Sequence, residues 1–315
     1  MVAADAAIDL ELYRRELTGY CYRMLGSGFD AEDAVQETML RAWRATDEFE
    51  GRSSVRSWLY RIATNVCLDM LRAGQRRAQP VDLGAPWSAD TPLPGAMPEH
   101  AWVSPIADER VLPAEADPAE LATLRDSIRL AFVAALQYLP PKQRAVLILR
   151  EVLRWQAGEV AELLGTSVAS VNSALQRARA TLDERETTVT KPVADPDLLR
   201  RYVEAFEAYD VTTLVSLVSE DADFSMPPFP LWLQGPEDIG KWYVGQGAGC
   251  RGSRLLPVSA NGTYGFGAYK QAGPDRWEPF ALQVVESSGG RLVGLHHFLD
   301  PALFAAFGLP AFLTR

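Results

Sequence analysis

From Glu159 to Thr181 apolar and polar positions alternate at helical spacing, with one interruption. Val160, Ala161, Leu163 and Leu164 share a face, Gly165 stands where a helix must stop, and Thr166 or Ser167 can cap the next helix. On that second helix Val168, Val171, Leu175 and Ala178 keep the period of a buried stripe, leaving Ser170, Asn172, Ser173, Gln176, Arg177 and Arg179 facing outward. The pattern predicts two helices joined by a tight turn. The outward residues suit DNA: Asn and Gln pair with adenine through two hydrogen bonds, Arg with guanine or a phosphate, and Ser allows close approach to a backbone. A solvated helical hairpin has the same periodicity, so the decision rests on what accompanies it.

Upstream, Ala34, Val35, Met39 and Trp43 make one apolar helical face, and Glu32, Asp33, Gln36 and Glu37 an acidic, hydrogen-bonding one. Between Arg52 and Arg77 six arginines (Arg52, Arg56, Arg61, Arg72, Arg76, Arg77) stand against the single Asp69, while Trp58, Leu59, Ile62, Val66, Leu68 and Met70 supply packing. The whole chain carries a formal charge of −10. That balance argues against a protein that coats nucleic acid generally and for basic surface concentrated where DNA passes.

Four stretches in this order, DAEDAVQETMLRAW (Asp30 to Trp43), SWLYRIATNVCLDMLR (Ser57 to Arg72), LPPKQRAVLILRE (Leu139 to Glu151) and the helix-turn-helix, resemble an extracytoplasmic-function (ECF) sigma factor of bacterial RNA polymerase. The resemblance covers about half the chain and implies two all-α domains. Residues 8–78 would be sigma region 2 and residues 119–186 sigma region 4. It implies that Asp33, Gln36 and Glu37 dock on the clamp of the largest polymerase subunit, with region 4 on the flap of the second. Arg52, Arg56, Trp58, Arg61, Asn65, Arg72 and Arg76 would serve the minus-ten element, the loop from Phe49 to Val55 and Asn65 holding flipped bases, since an unstacked base needs a pocket. Ser170, Asn172, Ser173, Gln176, Arg177 and Arg179 would read the minus-thirty-five element.

Residues 79–118 differ in composition. Prolines at 80, 86, 92, 94, 98, 105, 113 and 118 and seven acids against Arg110 predict an acidic, flexible linker, with Trp87 and Trp102 as apolar points for docking. By resemblance such linkers thread the RNA-exit region of polymerase. Residues 187–315 have an α+β pattern. Asp197 to Val218 reads as one amphipathic helix, and short apolar or alternating runs broken by Gly and Pro follow. MPPFPLWLQGPEDIGKW (Met226 to Trp242) and the ending HHFLDPALFAAFGLP (His296 to Pro310) resemble a SnoaL-like domain of the NTF2-like fold, a cone of helices wrapped by a curved sheet. That fold commonly encloses a pocket, for which Tyr202, Phe224, Met226, Trp232, Trp242, Phe266 and His296 are candidates, with Asp223 near. Packing is the commoner use of such residues, so no catalytic residue, cofactor or metal is expected.

Cys21, Cys67 and Cys250 lack a Cys-x-x-Cys spacing and sit in apolar patterns, and no signal peptide or membrane-length apolar run occurs. The expectation is a cytoplasmic initiation factor with no membrane association. Its C-terminal domain would regulate the other two, and an anti-sigma protein or a small-molecule ligand stays open. The alternative is a ligand-sensing or enzymatic SnoaL-like protein with a helical DNA-targeting part. A conventional repressor is disfavoured, because Asp30 to Leu71 would then have no role.

Overall fold

The computed structural model describes residues 8–49, 51, 53–73, 76–184 and 195–315. They divide into two compact units, one gathering the described residues of 1–76, 109–128 and 132–187 and the other those of 77–108, 129–131 and 188–315.

In the first unit α1 (Arg14–Leu25), α2 (Gly28–Arg44) and α3 (Val55–Ala73) pack against one another. Gly26 ends α1 with a φ of 73°, and Ser27 caps α2 by accepting from the Asp30 N–H at 3.2 Å. Leu17, Tyr20, Cys21, Ala31, Ala34, Leu59, Ala63 and Cys67 have no exposed surface and form the centre of this bundle. Each large apolar side chain so buried contributes about 1.5–3 kcal/mol.

Along the chain follow α4 (Asp108–Val111), α5 (Pro118–Asp126), α6 (Leu130–Leu136), α7 (Pro141–Leu147) with a π turn over Ile148–Val152, α8 (Ala157–Leu163) and α9 (Val168–Asp183). The turn between α8 and α9 uses Gly165 at φ 61°, and Ser167 caps α9 by accepting from the Ser170 N–H at 3.2 Å. Val171, Leu175 and Ala178 are buried, but Val168 is 45% exposed. As the first residue of α9 it projects past the end of the core that its stripe otherwise meets.

The second unit contains α10 (Pro196–Ala208), α11 (Val211–Ser216), α12 (Gly235–Val244) and α13 (Ala302–Ala306). Its strands are β1 (Val218–Ser225), β2 (Trp232–Gln234), β3 (Arg254–Ala260), β4 (Thr263–Gly273), β5 (Arg276–Ser288), β6 (Arg291–Phe298) and β7 (Leu313–Thr314). The sheet runs β2-β1-β6-β5-β4-β3 with β7 on β5, and among these pairs only β1 and β6 run parallel. The single helix expected over Asp197–Val218 is broken. Tyr209 takes a φ of 55°, Asp210 caps α11 by accepting from the Thr213 N–H at 3.0 Å, and Val218 already belongs to β1. Leu198, Tyr202, Phe206, Trp242 and Tyr243 from the helices pack on Phe224, Phe266, Val285 and Leu295 from the sheet.

The segment expected to be a flexible tether instead contributes residues 77–108 to this second unit. The Trp87 N–H donates to Trp232 O at 2.7 Å, the Met97 N–H to Pro228 O at 2.8 Å and the Trp232 indole to Gly84 O at 3.0 Å. Ile106 and Asn261 exchange two bonds, Ile106 N–H to Asn261 Oδ1 at 3.0 Å and Asn261 N–H to Ile106 O at 3.1 Å. Trp102, Val103 and Ile106 are at most 3% exposed. Proline excludes a regular ladder here, yet each remaining backbone group can still pair singly, and the apolar side chains find cover.

Candidate nucleic-acid interface

All six outward residues expected on the second helix of the helix-turn-helix are exposed on α9. They form two rows: Asn172, Gln176 and Arg179 at i, i+4, i+7, and Ser170, Ser173 and Arg177 at i, i+3, i+7. The rows flank the ridge opposite the buried Val171, Leu175 and Ala178, leaving a continuous polar face along the helix. Arg179 is held by Glu151 at 2.6 Å, an exposed pair that orients the guanidinium more than it stabilises the fold.

On α3 the buried stripe is Leu59, Tyr60, Ala63, Val66 and Cys67, whereas Trp58, Ile62, Leu68 and Met70 are only half-buried. Asn65 and Arg72 are exposed, Arg72 pairing with Asp69 at 2.9 Å. Trp58 packs on Phe49 with centroids 4.8 Å apart, which joins the helix to the loop before it. Three further cations are engaged within the unit. Arg56 pairs with Glu16 at 2.8 Å and lies over the Tyr60 and Trp155 rings, Arg61 reaches Glu162 at 3.7 Å, and Arg76 lies over the Tyr138 ring at 3.9 Å. Arg52, expected in the same group, lies outside the described residues.

On α2 Asp33 and Gln36 are exposed, and Glu37 is half-buried in a 2.6 Å pair with Arg41. Trp43, expected on the buried face with Val35 and Met39, is 71% exposed. Eight residues beyond Val35 it is rotated about 80° round the helix, and it falls in line with Asp33, Gln36 and Leu40 at i, i+3, i+7, i+10. Leu40, 40% exposed, had no signal separating it from the core residues beside it. The face therefore combines hydrogen-bonding groups with uncovered apolar surface.

The family described as Sigma-70 region 2 matches residues 10–77, and that described as Sigma-70, region 4 matches residues 129–182. ECF RNA polymerase sigma factor SigG of Mycobacterium tuberculosis is 46% identical over 317 residues, spanning 97% of this chain and 84% of that protein. The chain belongs to the ECF RNA polymerase sigma factors. SigJ of Mycobacterium tuberculosis is 26% identical over 313 residues, covering 94% of this sigma factor and 92% of that one. The crystal structure of Mycobacterium tuberculosis SigJ superimposes with a TM-score of 0.61 at 23% identity, covering 95% of this chain and 98% of that one, so the likeness of fold extends through the C-terminal unit.

That unit of the sigma factor has the helix-then-sheet order of a SnoaL-like domain, and it sorts the expected pocket residues onto two faces. Tyr202, Phe224, Met226, Trp242 and Phe266 enter the core. His296 and Trp232 do not join them. Both register against Ser225, one residue on from Phe224, and strand alternation turns them to the opposite face. There His296 Nδ1 lies 2.9 Å from Ser225 Oγ and 3.5 Å from Asp223 Oδ2. Both neighbours meet the same nitrogen, so they do not form a relay across the ring. Glu286 shares this face, its pKa raised by burial, and Arg129 lies 3.9 Å from it. His297, which the sequence pattern passed over, is the histidine of the core: it lies opposite Gln283 across β5 and β6, and Gln283 Oε1 accepts from the Tyr202 hydroxyl at 2.8 Å. Gln283 Nε2, His297 Nε2 and the Tyr243 hydroxyl are buried without hydrogen-bond partners.

Among the described residues no group of three His, Cys, Asp or Glu is placed to hold a metal ion, and no helix is long and apolar enough to cross a membrane. Cys21 and Cys67 are buried, and Cys250 is partly buried against the C-terminal core.

Proposed function

We propose that this chain directs RNA polymerase to promoters, with residues 8–78 engaging core polymerase and the minus-ten element, 119–186 reading the minus-thirty-five element, and 187–315 regulating both. The observation that carries this reading is α9: six polar side chains on one continuous exposed face, presented behind a glycine turn by a packed α8. A major groove admits an α-helix, and the donors and acceptors of these rows suit base edges and phosphates. The α2 face of Asp33, Gln36, Leu40 and Trp43 supplies a second surface of the composition that protein interfaces use, an aromatic anchor rimmed by polar groups. We assign it to the clamp of the largest polymerase subunit.

The factor acts in the cytoplasm and without chemistry of its own. His296 lies outside the aromatic core, and the histidine inside it is held neutral by burial. Transcription in vitro with purified core polymerase, on promoters from upstream of its own gene, tests the reading. Promoter-specific initiation is the expected result, and no initiation together with no binding to core polymerase would overturn it.

A further inference from the structure

A groove of about 920 Å³ in the first unit is bounded by the turn Leu10–Tyr13, the start of α3, the segment after α4, α5 and the loop Val152–Arg154. Of the residues assigned above to polymerase or promoter only Arg56 lines it. Its volume is that of a site for a small molecule, and its charges are unbalanced. Two of its three acids are taken up by neighbouring cations, Glu11 by Arg14 at 2.6 Å and Glu16 by Arg56 at 2.8 Å. Arg15, Arg23 and Arg154 then stand against Glu120, and none of these three arginines has an ion pair among the described residues.

Arg23 is 1% exposed near the end of α1, and its acceptors are all neutral: Ser127 Oγ at 2.9 and 2.7 Å, Gly19 O at 2.6 Å and Leu124 O at 3.4 Å. Gly19 makes room for it, since a Cβ there would come within 2.9 Å of Arg23 Nη1 and 3.2 Å of Val111 O. Burial pushes the Arg23 pKa down to about 10, as expected of a cation taken from water with no counter-ion beside it. Arg154 is exposed, and its φ of 60° is a left-handed conformation that a residue with a side chain adopts at a cost its surroundings must outweigh.

The remaining walls are aliphatic. Leu12 is 77% exposed although it lines the groove, Leu124 and Leu153 are half-buried in the same lining, and none of the lining residues is aromatic. Nucleobases are held by aromatic faces, so a nucleotide suits the groove poorly. An aliphatic chain with an acidic head suits it better, because guanidinium groups grip carboxylate and phosphate with the same fork.

We propose that this groove binds an amphiphilic anion, an aliphatic chain ending in a carboxylate or a phosphate, with the head toward Arg15, Arg23 and Arg154 and the chain over Leu12, Leu124 and Leu153. The site is separate from the α2 face and from α9, and it does not depend on the sigma-factor reading. The chain covers Leu12, and the head supplies the counter-ion that the fold does not give Arg23.

Isothermal titration of the full chain with decanoate and with decyl phosphate, each below its micelle concentration, tests this. Saturable binding is expected for the anions and none for decyltrimethylammonium, whose head the arginines repel. The tighter of the two anions tells which head the groove is built for. Arg15→Ala combined with Arg154→Ala, both at exposed positions, should weaken binding by roughly tenfold or more, the effect of losing charge-assisted hydrogen bonds, and Leu12→Asp should weaken it as well. Thermal unfolding of each variant checks that it folds as the native chain does. No saturable binding of either anion, equal binding of the cationic amphiphile, unchanged binding in the folded variants, or tighter binding of ATP than of decyl phosphate would overturn the proposal.

Discussion

The ring of His297 lies against the ring of Phe224, centroids 4.7 Å and planes 35° apart, while His296 beside it faces the other way toward Ser225. Burial, and then the neighbouring His296, push the His297 pKa from its usual 6.5 down to about 3. Below pH 6.5 the unfolded chain therefore takes up a proton that the folded one refuses. Stability of the C-terminal unit is complete above that pH and falls by up to about 1.4 kcal/mol per unit as pH drops toward 3. Glu286 acts in the opposite sense: burial raises its pKa, so its contribution is present below the ordinary carboxylate value and is lost as pH rises through the raised one. Urea midpoints between about pH 4 and 8 should show the acid limb for the native chain and its flattening in His297→Gln.

Exchange of Trp43 for Ala is expected to leave the unfolding free energy within about 0.5 kcal/mol, since the side chain is mostly in solvent. Loss of an aromatic anchor typically weakens an interface by about 2 kcal/mol or more. Titration of fluorescent core polymerase distinguishes the two effects, and undiminished affinity would take the α2 face out of the docking surface.

Gln176→Ala should relax preference at one base pair of the minus-thirty-five element by about 1–3 kcal/mol. Initiation rates across single-base promoter variants measure this. A preference profile identical to that of the native chain would exclude Gln176 from base contact.

At the turn before α9, Gly165→Ala places a Cβ at φ 61°, a conformation that costs an ordinary L residue roughly 1–2 kcal/mol. Nothing lies within 4 Å of the added atom, so the loss of thermal stability reports backbone strain alone.

Asn261→Gly keeps the freedom needed at φ 54° but removes the acceptor of the Ile106 N–H. A buried donor left unpaired costs about 1–3 kcal/mol, measurable as a lower urea midpoint of the full chain.

The helix-turn-helix was legible because the 3.6-residue period fixes which residues of α9 are buried once Val171, Leu175 and Ala178 are seen. The same reading failed at Trp43, because an aromatic residue counts as apolar in any periodicity whether it meets a core or a partner. In the C-terminal unit alternation is visible in the sequence, yet its phase is not. His296 and His297 are adjacent, and only the register of β6 on β1 and β5 tells which one enters the core. Residues 79–118 hold only short helical turns such as α4, and mostly irregular backbone with single hydrogen bonds has no period to announce its docking site.

The bond between Ile106 and Asn261 spans 155 residues. At about 5–20 residues per second, synthesis needs roughly 8 to 30 s to deliver the partner after the first strand of contact has left the ribosome. For that interval Trp102, Val103 and Ile106 have no cover from the C-terminal unit, and α9, ending at Asp183, is complete from about its midpoint onward. A newborn chain thus has a period in which it can fold and act before its last unit exists, and in which its middle segment is most open to chaperones and proteases.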